Sequence, residues 1–277
     1  MQVVKTIPEI KALRQKRSGT VGFVPTMGFL HAGHLALVKK AKTENSVVIA
    51  SIYVNPAQFG PREDFGAYPR DLDRDLELLR KEGTDIVFVP LDDEMYPREF
   101  SSWVDVEKVT ERLEGVSRLG HFRGVATVVA KLFNIVRPTR AYFGEKDAQQ
   151  VVVIKRMVAD LDMNLEVVVV PTVRESDGLA MSSRNVYLNP EERQAATMLF
   201  KALTLGQQLR IGGERDAEKI RRQMTALIQE EPLAQIDYVS IADSETLREL
   251  DLIDRRAVAS LAVRIGKTRL IDNMPLE

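Results

Sequence analysis

Short apolar runs alternate with amphipathic segments over the first 170 residues of the chain. The runs are rich in valine and isoleucine and carry few polar residues, which is typical of strands buried on both faces of a sheet. They occupy positions 20–24, 47–54, 85–89, 139–143 and 165–170. The sequence therefore predicts five buried strands in this part of the chain.

Segments with helical spacing separate these runs. The first begins "TIPEIKALRQK", in which Thr6 and Glu9 predict a capping box and Pro8 lies in the first turn. The others cover positions 33–43, 71–83, 122–136 and 147–160. Alternation of strands and helices is typical of a parallel sheet with right-handed crossovers. We therefore predict an α/β fold with a Rossmann-like doubly wound sheet.

The pattern changes after "PTVRESDGLAMSSRNVYL", because helices now precede strands. Two segments with helical spacing are followed by two strand-like runs, at 190–209, 215–230, 236–242 and 257–264. Such an order indicates a smaller α+β domain. The predicted domains are residues 1–175, with the Rossmann-like sheet, and residues 176–277.

Composition narrows the class of protein. The 277 residues are 44% apolar and 29% charged, with a net charge of −1, so bulk charge gives no support for a nucleic-acid partner. Cysteine is absent, which excludes disulfides, thiolate metal sites and a cysteine nucleophile, and suits the cytoplasm. We expect no signal peptide at "MQVVKTIPEI" and no membrane segment, because the apolar runs are far shorter than the roughly 20 residues of a membrane span.

The stretch "TMGFLHAGHLALV" contains two of the three histidines of the chain, His31 and His34, where a predicted strand leads into a helix. A metal site would need a further ligand, and no third histidine lies nearby. Simple packing is the second interpretation. The third, which we favour, is a phosphate site, because a helix N-terminus attracts anions and imidazole can donate to phosphoryl oxygens. Gly28 and Gly33 would allow close approach of a ligand to the backbone.

Other polar residues follow predicted strands. Asn55 and Gln58 in "YVNPAQFG" would reach a small hydroxy acid, or simply form a turn. In "FGEKDAQQ", Lys146 offers a cation to phosphates and Asp147 a helix cap. "MSSRN" offers two hydroxyls and a guanidinium, and can equally be a polar hinge. Asp75 is interpreted as a helix-surface acid rather than an outer ligand of Mg²⁺.

Five segments in one order carry a family resemblance: "PTMGFLHAGH", "VNPAQFGPREDFGAYPRDLDRD", "LEGVSRLGHFRGVATVVAKLFNIVRP", "FGEKDAQQ" and "DGLAMSSRNVYL". "HAGH" matches the HxGH signature of the nucleotidyltransferase superfamily. Together the segments resemble the pantoate–β-alanine ligase family, which forms AMP. Arg118 and His121 in the third segment match family residues near the active site.

The resemblance implies that pantoate carboxylate attacks the α-phosphate of ATP, and that the amine of β-alanine then attacks the pantoyl adenylate. It implies Mg²⁺ with ATP, no protein ligand being assigned to the metal, a homodimer in the cytoplasm and a C-terminal domain that closes over the active site. The implied catalytic residues are His31, His34, Lys146 and Arg184. The implied ATP-binding residues are Met27, Gly28, Phe29, Leu30, His31, Ala32, Gly33, His34, Gly144, Glu145, Lys146, Asp147, Val173, Met181, Ser182, Ser183 and Arg184. The implied pantoate- and β-alanine-binding residues are Asn55, Gln58 and Gln150.

Two other hypotheses stay open at this point. A related adenylyl- or cytidylyltransferase would keep a nucleotidyl product instead of forming an amide. A nucleotide-binding regulator, or an RNA-binding relative of the tRNA synthetases, would lack catalysis. The near-neutral charge and the lack of a long basic extension weigh against RNA.

Overall fold

The computed structural model describes residues 1–61 and 63–277, and these form two compact units. The first unit comprises Met1–Glu145 and Gln150–Pro171, and the second comprises Lys146–Gln149 and Thr172–Glu277. The sequence-based domain boundary at 175/176 lies a few residues from this division and stays a prediction.

The first unit contains a parallel sheet, six-stranded over the described residues, with the order β1-β4-β3-β2-β5-β6. All five predicted strands are present. The sixth, β1, was not predicted, because a three-residue strand is too short to show a periodic pattern. The strands are β1 (Gln2–Val4), β2 (Val21–Thr26), β3 (Val47–Ile52), β4 (Ile86–Phe88), β5 (Arg140–Gly144) and β6 (Glu166–Val170).

Helices connect these strands. The capping box predicted for the first helix is confirmed, since Thr6 and Glu9 bond reciprocally. A 3₁₀ helix, Pro56–Gln58, begins four residues after the end of β3, and a second, Glu145–Asp147, follows β5 directly. The α-helices are α1 (Ile7–Gln15), α2 (Ala32–Glu44), α3 (Leu72–Lys81), α4 (Asp92–Met95), α5 (Glu114–Ser117), α6 (His121–Val136) and α7 (Ala148–Asp160).

Both faces of the parallel sheet are covered, which confirms the doubly wound prediction. Val47 and Ile49 of β3 join a core with residues of α1, α6 and α7. Val48 and Ala50, which point to the opposite face, join a core with residues of α2 and α3. All four side chains are buried, which explains the uninterrupted apolar run in the sequence.

The strand order places a switch point beside β2. This strand pairs with β3 on one side and with β5 on the other, so the chain leaves β2 toward one edge of the sheet and returns at β5 toward the other. Open α/β sheets bind ligands at the carboxyl ends of the strands at such a point. The HAGH segment follows β2, and the FGEKD segment contains the end of β5.

The second unit has an antiparallel sheet of order β7-β8-β9, packed on helices. The prediction of one helix over 190–209 is wrong, because α8 ends at Ala195 and α9 begins at Met198. The Thr197 hydroxyl donates to the carbonyl of Gln194 (2.8 Å), a local bond that competes with the helical pattern. The elements are α8 (Pro190–Ala195), α9 (Met198–Ile211), α10 (Ala217–Gln229), β7 (Ala234–Asp243), β8 (Ala257–Ile265) and β9 (Thr268–Leu276).

Candidate active site

The loop after β2 makes a tight turn into α2. Gly28 and Phe29 both have positive φ, at 83° and 49°. The Thr26 hydroxyl holds the start of the turn, since it donates to the carbonyl of Ser51 (2.7 Å) and accepts from the N–H of Gly28 (3.2 Å). A Cβ at Gly28 would lie 3.0 Å from Oδ2 of Asp75, so a side chain there would crowd this carboxylate as well as strain the backbone.

Asp75 of α3 holds the next two residues of this loop. Its carboxylate accepts from the N–H of Phe29 and from that of Leu30, both at 2.7 Å. The interpretation of Asp75 as a helix-surface acid is wrong, because only 1% of the residue is exposed. Burial raises the pKa of this carboxyl, against the two backbone bonds that lower it.

The two histidines of HAGH are oriented by backbone amides. His31 is the N-cap residue of α2, and its Nδ1 accepts from the N–H of Gly33 (3.1 Å). The N–H of His31 in turn donates to Nδ1 of His34 (3.3 Å), and the two rings lie 4.1 Å apart. A ring nitrogen that accepts from an amide carries no proton, so both neutral imidazoles have their proton on Nε2.

This geometry changes the role expected for the glycine and the amides of the motif. A Cβ at Gly33 would lie 2.9 Å from Cε1 and Nδ1 of His31, so the glycine makes room for the histidine ring. The amides of Gly28, Phe29, Leu30, His31 and Gly33 each donate to a side chain. These five amides are therefore already paired within the protein.

Asn55 is the N-cap of the 3₁₀ helix that follows β3 and Gln58 is its last residue, and both are buried. Nδ2 of Asn55 donates to Oε1 of Gln58 (3.0 Å) and to the carbonyl of Gly124 (3.2 Å). Nε2 of Gln58 donates to Sδ of Met27 (3.0 Å), which brings this pair to the loop after β2. The hydroxyl of Tyr96 donates to Oδ1 of Asn55 (2.9 Å).

His121, the first residue of α6, holds the main chain of Gln58. Its Nδ1 donates to the carbonyl of Gln58 (2.8 Å), and its Nε2 accepts from Arg118 (3.0 Å). Arg118 also binds both carboxylate oxygens of Glu63 (2.9 and 2.7 Å). Burial and the charge of Arg118 lower the pKa of His121 to about 4, so this imidazole is neutral at pH 7.

Lys146 lies in the 3₁₀ helix after β5 and belongs to the second unit. Its Nζ is 3.5 Å from Oδ1 of Asp147. The side chain of Asn273 in β9 donates to the carbonyl of Lys146 (2.8 Å), so a strand of the small sheet fixes this part of the chain. Gly144 and Glu145 belong to the first unit, as does Gln150 of α7.

A buried ion pair stands next to Asn273. Both carboxylate oxygens of Asp272 accept from Arg174 (2.6 and 3.1 Å), and Oδ1 also accepts from the N–H of Asn273 (2.8 Å). Arg174 further donates to the carbonyl of Gly178 (3.1 Å), and its guanidinium lies over the ring of Phe200 (4.8 Å). Burial raises the pKa of Asp272, against the opposing effect of Arg174.

The MSSRN segment begins at the base of a small hairpin. The N–H of Met181 donates to the carbonyl of Val173 (3.0 Å), and Arg174 pairs with Ala180. The Ser182 hydroxyl caps a 3₁₀ helix over Ser183–Tyr187 by accepting from the N–H of Arg184 (3.2 Å). The segment is thus an ordered capped turn.

The predicted site residues fall in both units. The first holds Met27 to His34, Asn55, Gln58, Gly144, Glu145 and Gln150, and the second holds Lys146, Asp147, Val173 and Met181 to Arg184. Over residues 1–61 and 63–277, no group of three or more His, Cys, Asp or Glu side chains is arranged to hold a metal ion. No helix in the same part of the chain is long and apolar enough to cross a membrane.

Comparison with known proteins gives consistent matches along the whole chain. The model of the family described as pantoate-beta-alanine ligase matches residues 2–275. Pantothenate synthetases of Herpetosiphon aurantiacus and Roseiflexus castenholzii are 62% and 60% identical, and the first alignment covers 99% of both chains while the second covers 100%. The crystal structure of pantothenate synthetase from Thermus thermophilus superimposes with a TM-score of 0.95 at 50% identity, over 99% of each chain.

A further similar structure contains bound ligands. It is a pantoate-beta-alanine ligase from Francisella tularensis complexed with beta-gamma ATP and beta-alanine. This structure is 36% identical to the present chain and has a TM-score of 0.81, over 99% of this chain and 97% of the other.

Proposed function

Since the chain belongs to the pantoate–β-alanine ligase family, we propose which of its residues serve the ATP-dependent condensation. The chain is an enzyme of that class, which joins pantoate to β-alanine and forms pantothenate with consumption of ATP. The assignment of individual residues to steps of the reaction is our proposal.

The observation that carries the mechanism is that a backbone N–H donates to Nδ1 of His34 and another to Nδ1 of His31. In each ring a backbone amide occupies Nδ1, so the ring presents an N–H donor at Nε2. We assign His34 to the α-phosphate, where negative charge builds as the pantoate carboxylate attacks. We assign His31 to the triphosphate path. Neutral donors held in place before the reaction stabilise such charge without reorganisation.

The reaction then needs no covalent enzyme intermediate. A carboxylate oxygen of pantoate bonds to the α-phosphorus and pyrophosphate leaves, which gives pantoyl adenylate. The amine of β-alanine attacks the activated carbonyl, loses a proton, and AMP leaves. A carboxylate is already a nucleophile and AMP is a good leaving group, so positioning and charge stabilisation are the main tasks of the protein. The absence of cysteine is consistent with this mechanism.

We propose that Asn55, Gln58 and Gln150 hold pantoate and β-alanine. Gln58 is held at three points: its side chain bonds to Asn55 and Met27, and its main chain bonds to His121. An amide supplies a donor and an acceptor, which suits a hydroxy acid. Burial of the pair keeps water from a hydrolysable intermediate.

We propose that ATP is bound by main-chain and side-chain groups of the loop from Met27 to His34, with Gly144 and Glu145. We further propose ATP-binding roles for Val173, Lys146, Asp147 and the residues from Met181 to Arg184. Lys146 and Arg184 supply charges for phosphate oxygens, and Ser182 and Ser183 supply hydroxyls. Closure of the C-terminal domain over the active site stays a prediction.

Mg²⁺ would enter with ATP. Magnesium retains several waters and binds substrate phosphates readily, with few protein ligands. When bound, it would neutralise charge on the triphosphate. We assign no residue to it.

We also propose that the enzyme acts as a homodimer in the cytoplasm. The family resemblance supports the dimer. The cytoplasmic location is supported by the need for ATP, which the cytoplasm supplies. Light scattering of the purified protein should give the mass of two chains, and cell fractionation should recover the activity with the cytoplasmic enzymes.

The assay that tests the function omits one substrate at a time. Purified protein should release AMP and pyrophosphate from MgATP with pantoate present, and should form pantothenate only when β-alanine is also added. Formation of ADP, or indifference to pantoate, would contradict the proposal. A stable nucleotidyl product that β-alanine does not consume would favour a nucleotidyltransferase instead.

Replacing Gly124 by alanine should weaken pantoate binding. A Cβ at Gly124 of α6 would lie 2.1 Å from the carbonyl oxygen of Ala57 and 2.7 Å from Cα of Gln58, so α6 or the Gln58 backbone has to move. Misplacement of about 1 Å can cost a factor near 10² in rate, and we expect the KM for pantoate to rise at least tenfold. The KM for ATP should change much less.

Gly66→Ala is the matched control, because nothing lies within 4 Å of a Cβ at that position. It should leave both KM values unchanged. Normal pantoate kinetics in Gly124→Ala would show that the contact of α6 with the Gln58 backbone is unimportant for binding.

A further inference from the structure

Asp75 is a buried acid that the mechanism above does not use. It is the fourth residue of α3, and its two carboxylate oxygens accept the amides of Phe29 and Leu30 at 2.7 Å each. Hydrogen bonds of this length to a charged acceptor are among the strong ones in proteins. One side chain of α3 thus fixes two consecutive amides of the loop after β2.

The backbone at this point needs an external support. Gly28 and Phe29 have positive φ in succession, and Phe29 has a Cβ that makes this conformation unfavourable. Such residues persist only where the surroundings hold them in place. The carboxylate of Asp75 provides that support from one side, and Nη1 of Arg74 provides a second bond by donating to the carbonyl of Leu30 (3.0 Å).

The supported segment leads directly to the two histidines. His31 follows Leu30, its N–H donates to Nδ1 of His34, and its own Nδ1 accepts from Gly33. A shift of the Leu30 amide would therefore displace His31 and disturb both bonds that keep the ring protons on Nε2. The alternative role of Asp75, as a ligand of Mg²⁺, does not suit a residue that is 1% exposed and has both oxygens bonded to amides.

We propose that Asp75 is a positioning residue for the reaction: it holds the turn at Phe29 and Leu30 so that His31 and His34 present their Nε2–H donors to the phosphates. This inference rests on the proposed role of the two histidines. Asp75 itself touches no reacting atom.

The test is Asp75→Asn, which keeps the shape but replaces one acceptor by an NH₂ group that faces an amide N–H. We expect kcat to fall about tenfold or more. The KM for pantoate should change by less than about twofold, because Gly124 and His121 of α6 hold Asn55 and the main chain of Gln58. Asp71→Ala is the matched control. It removes the N-cap of the same helix and should lower stability while leaving kcat unchanged.

Histidine NMR provides a readout that does not depend on activity. The chain has only three histidines, so labelled histidine gives a spectrum that single variants can assign. The native enzyme should show the Nε2–H tautomer for His31 and His34 and the Nδ1–H tautomer for His121. In Asp75→Asn the first two should shift toward mixed tautomers, whereas His121 should stay unchanged.

Arg74→Gln tests the same segment through the carbonyl of Leu30, and its half-exposed side chain makes loss of folding a minor concern. It should show a smaller loss of kcat in the same direction. Unchanged histidine tautomers in folded Asp75→Asn, or a parallel rise in the KM for pantoate, would overturn the inference. If His34→Ala kept full activity, the proposed role of the histidines would fail, and the NMR result would still decide whether Asp75 positions them.

Discussion

Replacing His34 by alanine is expected to lower pantothenate formation by a factor of about 10² or more, with the fold intact. The side chain is partly exposed at the start of α2, so its removal leaves no cavity in the core. What is lost is the Nε2–H donor proposed for the α-phosphate. The loss should appear in the first step, measured as pantoate-dependent exchange of pyrophosphate into ATP.

His34 also accepts the N–H of His31, so alanine alone does not separate the chemical from the structural role. His34→Asn separates them, because the amide oxygen can take the place of Nδ1 while nothing replaces Nε2. We expect this variant to be as stable as the native enzyme and as inactive as His34→Ala. His34→Gln, which offers an amide N–H near the position of Nε2, should retain more activity. Near-native turnover in His34→Asn would show that the residue only orders the loop.

The sequence was most informative where a local pattern and the tertiary structure agree. The apolar run at 47–54 predicted a doubly buried strand, and all six residues of β3 (Val47–Ile52) are buried. Thr6 and Glu9 predicted a capping box that depends on neighbouring residues alone. In contrast, the break at Thr197 was missed, because the hydroxyl bond to Gln194 interrupts a segment whose apolar spacing continues unchanged.

The sequence revealed the histidine motif but not how it is held. Histidine is not among the residues that commonly cap helices, so the bond from Gly33 to Nδ1 of His31 had no signal in the composition of the motif. Asp75 lies among charged neighbours in "DLDRDLELLR", and for this reason it was predicted to be a surface acid. The apolar spacing of α3 was the available clue, since Leu79 is buried one turn later on the same face.

The contacts that hold Lys146 in place could not be predicted from the sequence, for a different reason. Asn273, which holds its carbonyl, and the pair of Arg174 with Asp272 join positions about a hundred residues apart or more. No local pattern connects such partners. The polar pair Asp272 and Asn273 in "RLIDNM" gives no sign in the sequence of being buried, although both residues are.

The second large effect is expected from Asp272→Ala, which should lower the free energy of unfolding of the second unit by about 3–5 kcal/mol. The substitution removes the carboxylate and leaves the guanidinium of Arg174 without its counter-charge in a buried site, with the carbonyls of Gly178 and Asn273 as remaining partners. It also frees the amide of Asn273, whose side chain holds Lys146. The KM for ATP should therefore rise in the variant that still folds.

The structure provides a matched control and separate reporters for the two units. Asp237→Ala breaks an ion pair with Arg269 on the same sheet. The carboxylate of Asp237 is 33% exposed, against 1% for Asp272, so this loss should cost less than about 1 kcal/mol. Amide hydrogen exchange of β8 and β9 should accelerate strongly in Asp272→Ala and little in Asp237→Ala. The single tryptophan, Trp103, belongs to the first unit, so its fluorescence should report an unchanged unfolding midpoint there. An equal loss of unfolding free energy in the two variants would mean that burial of the Arg174–Asp272 pair does not add to its contribution to stability. An unchanged KM for ATP in Asp272→Ala would mean that Asp272 does not act on Lys146.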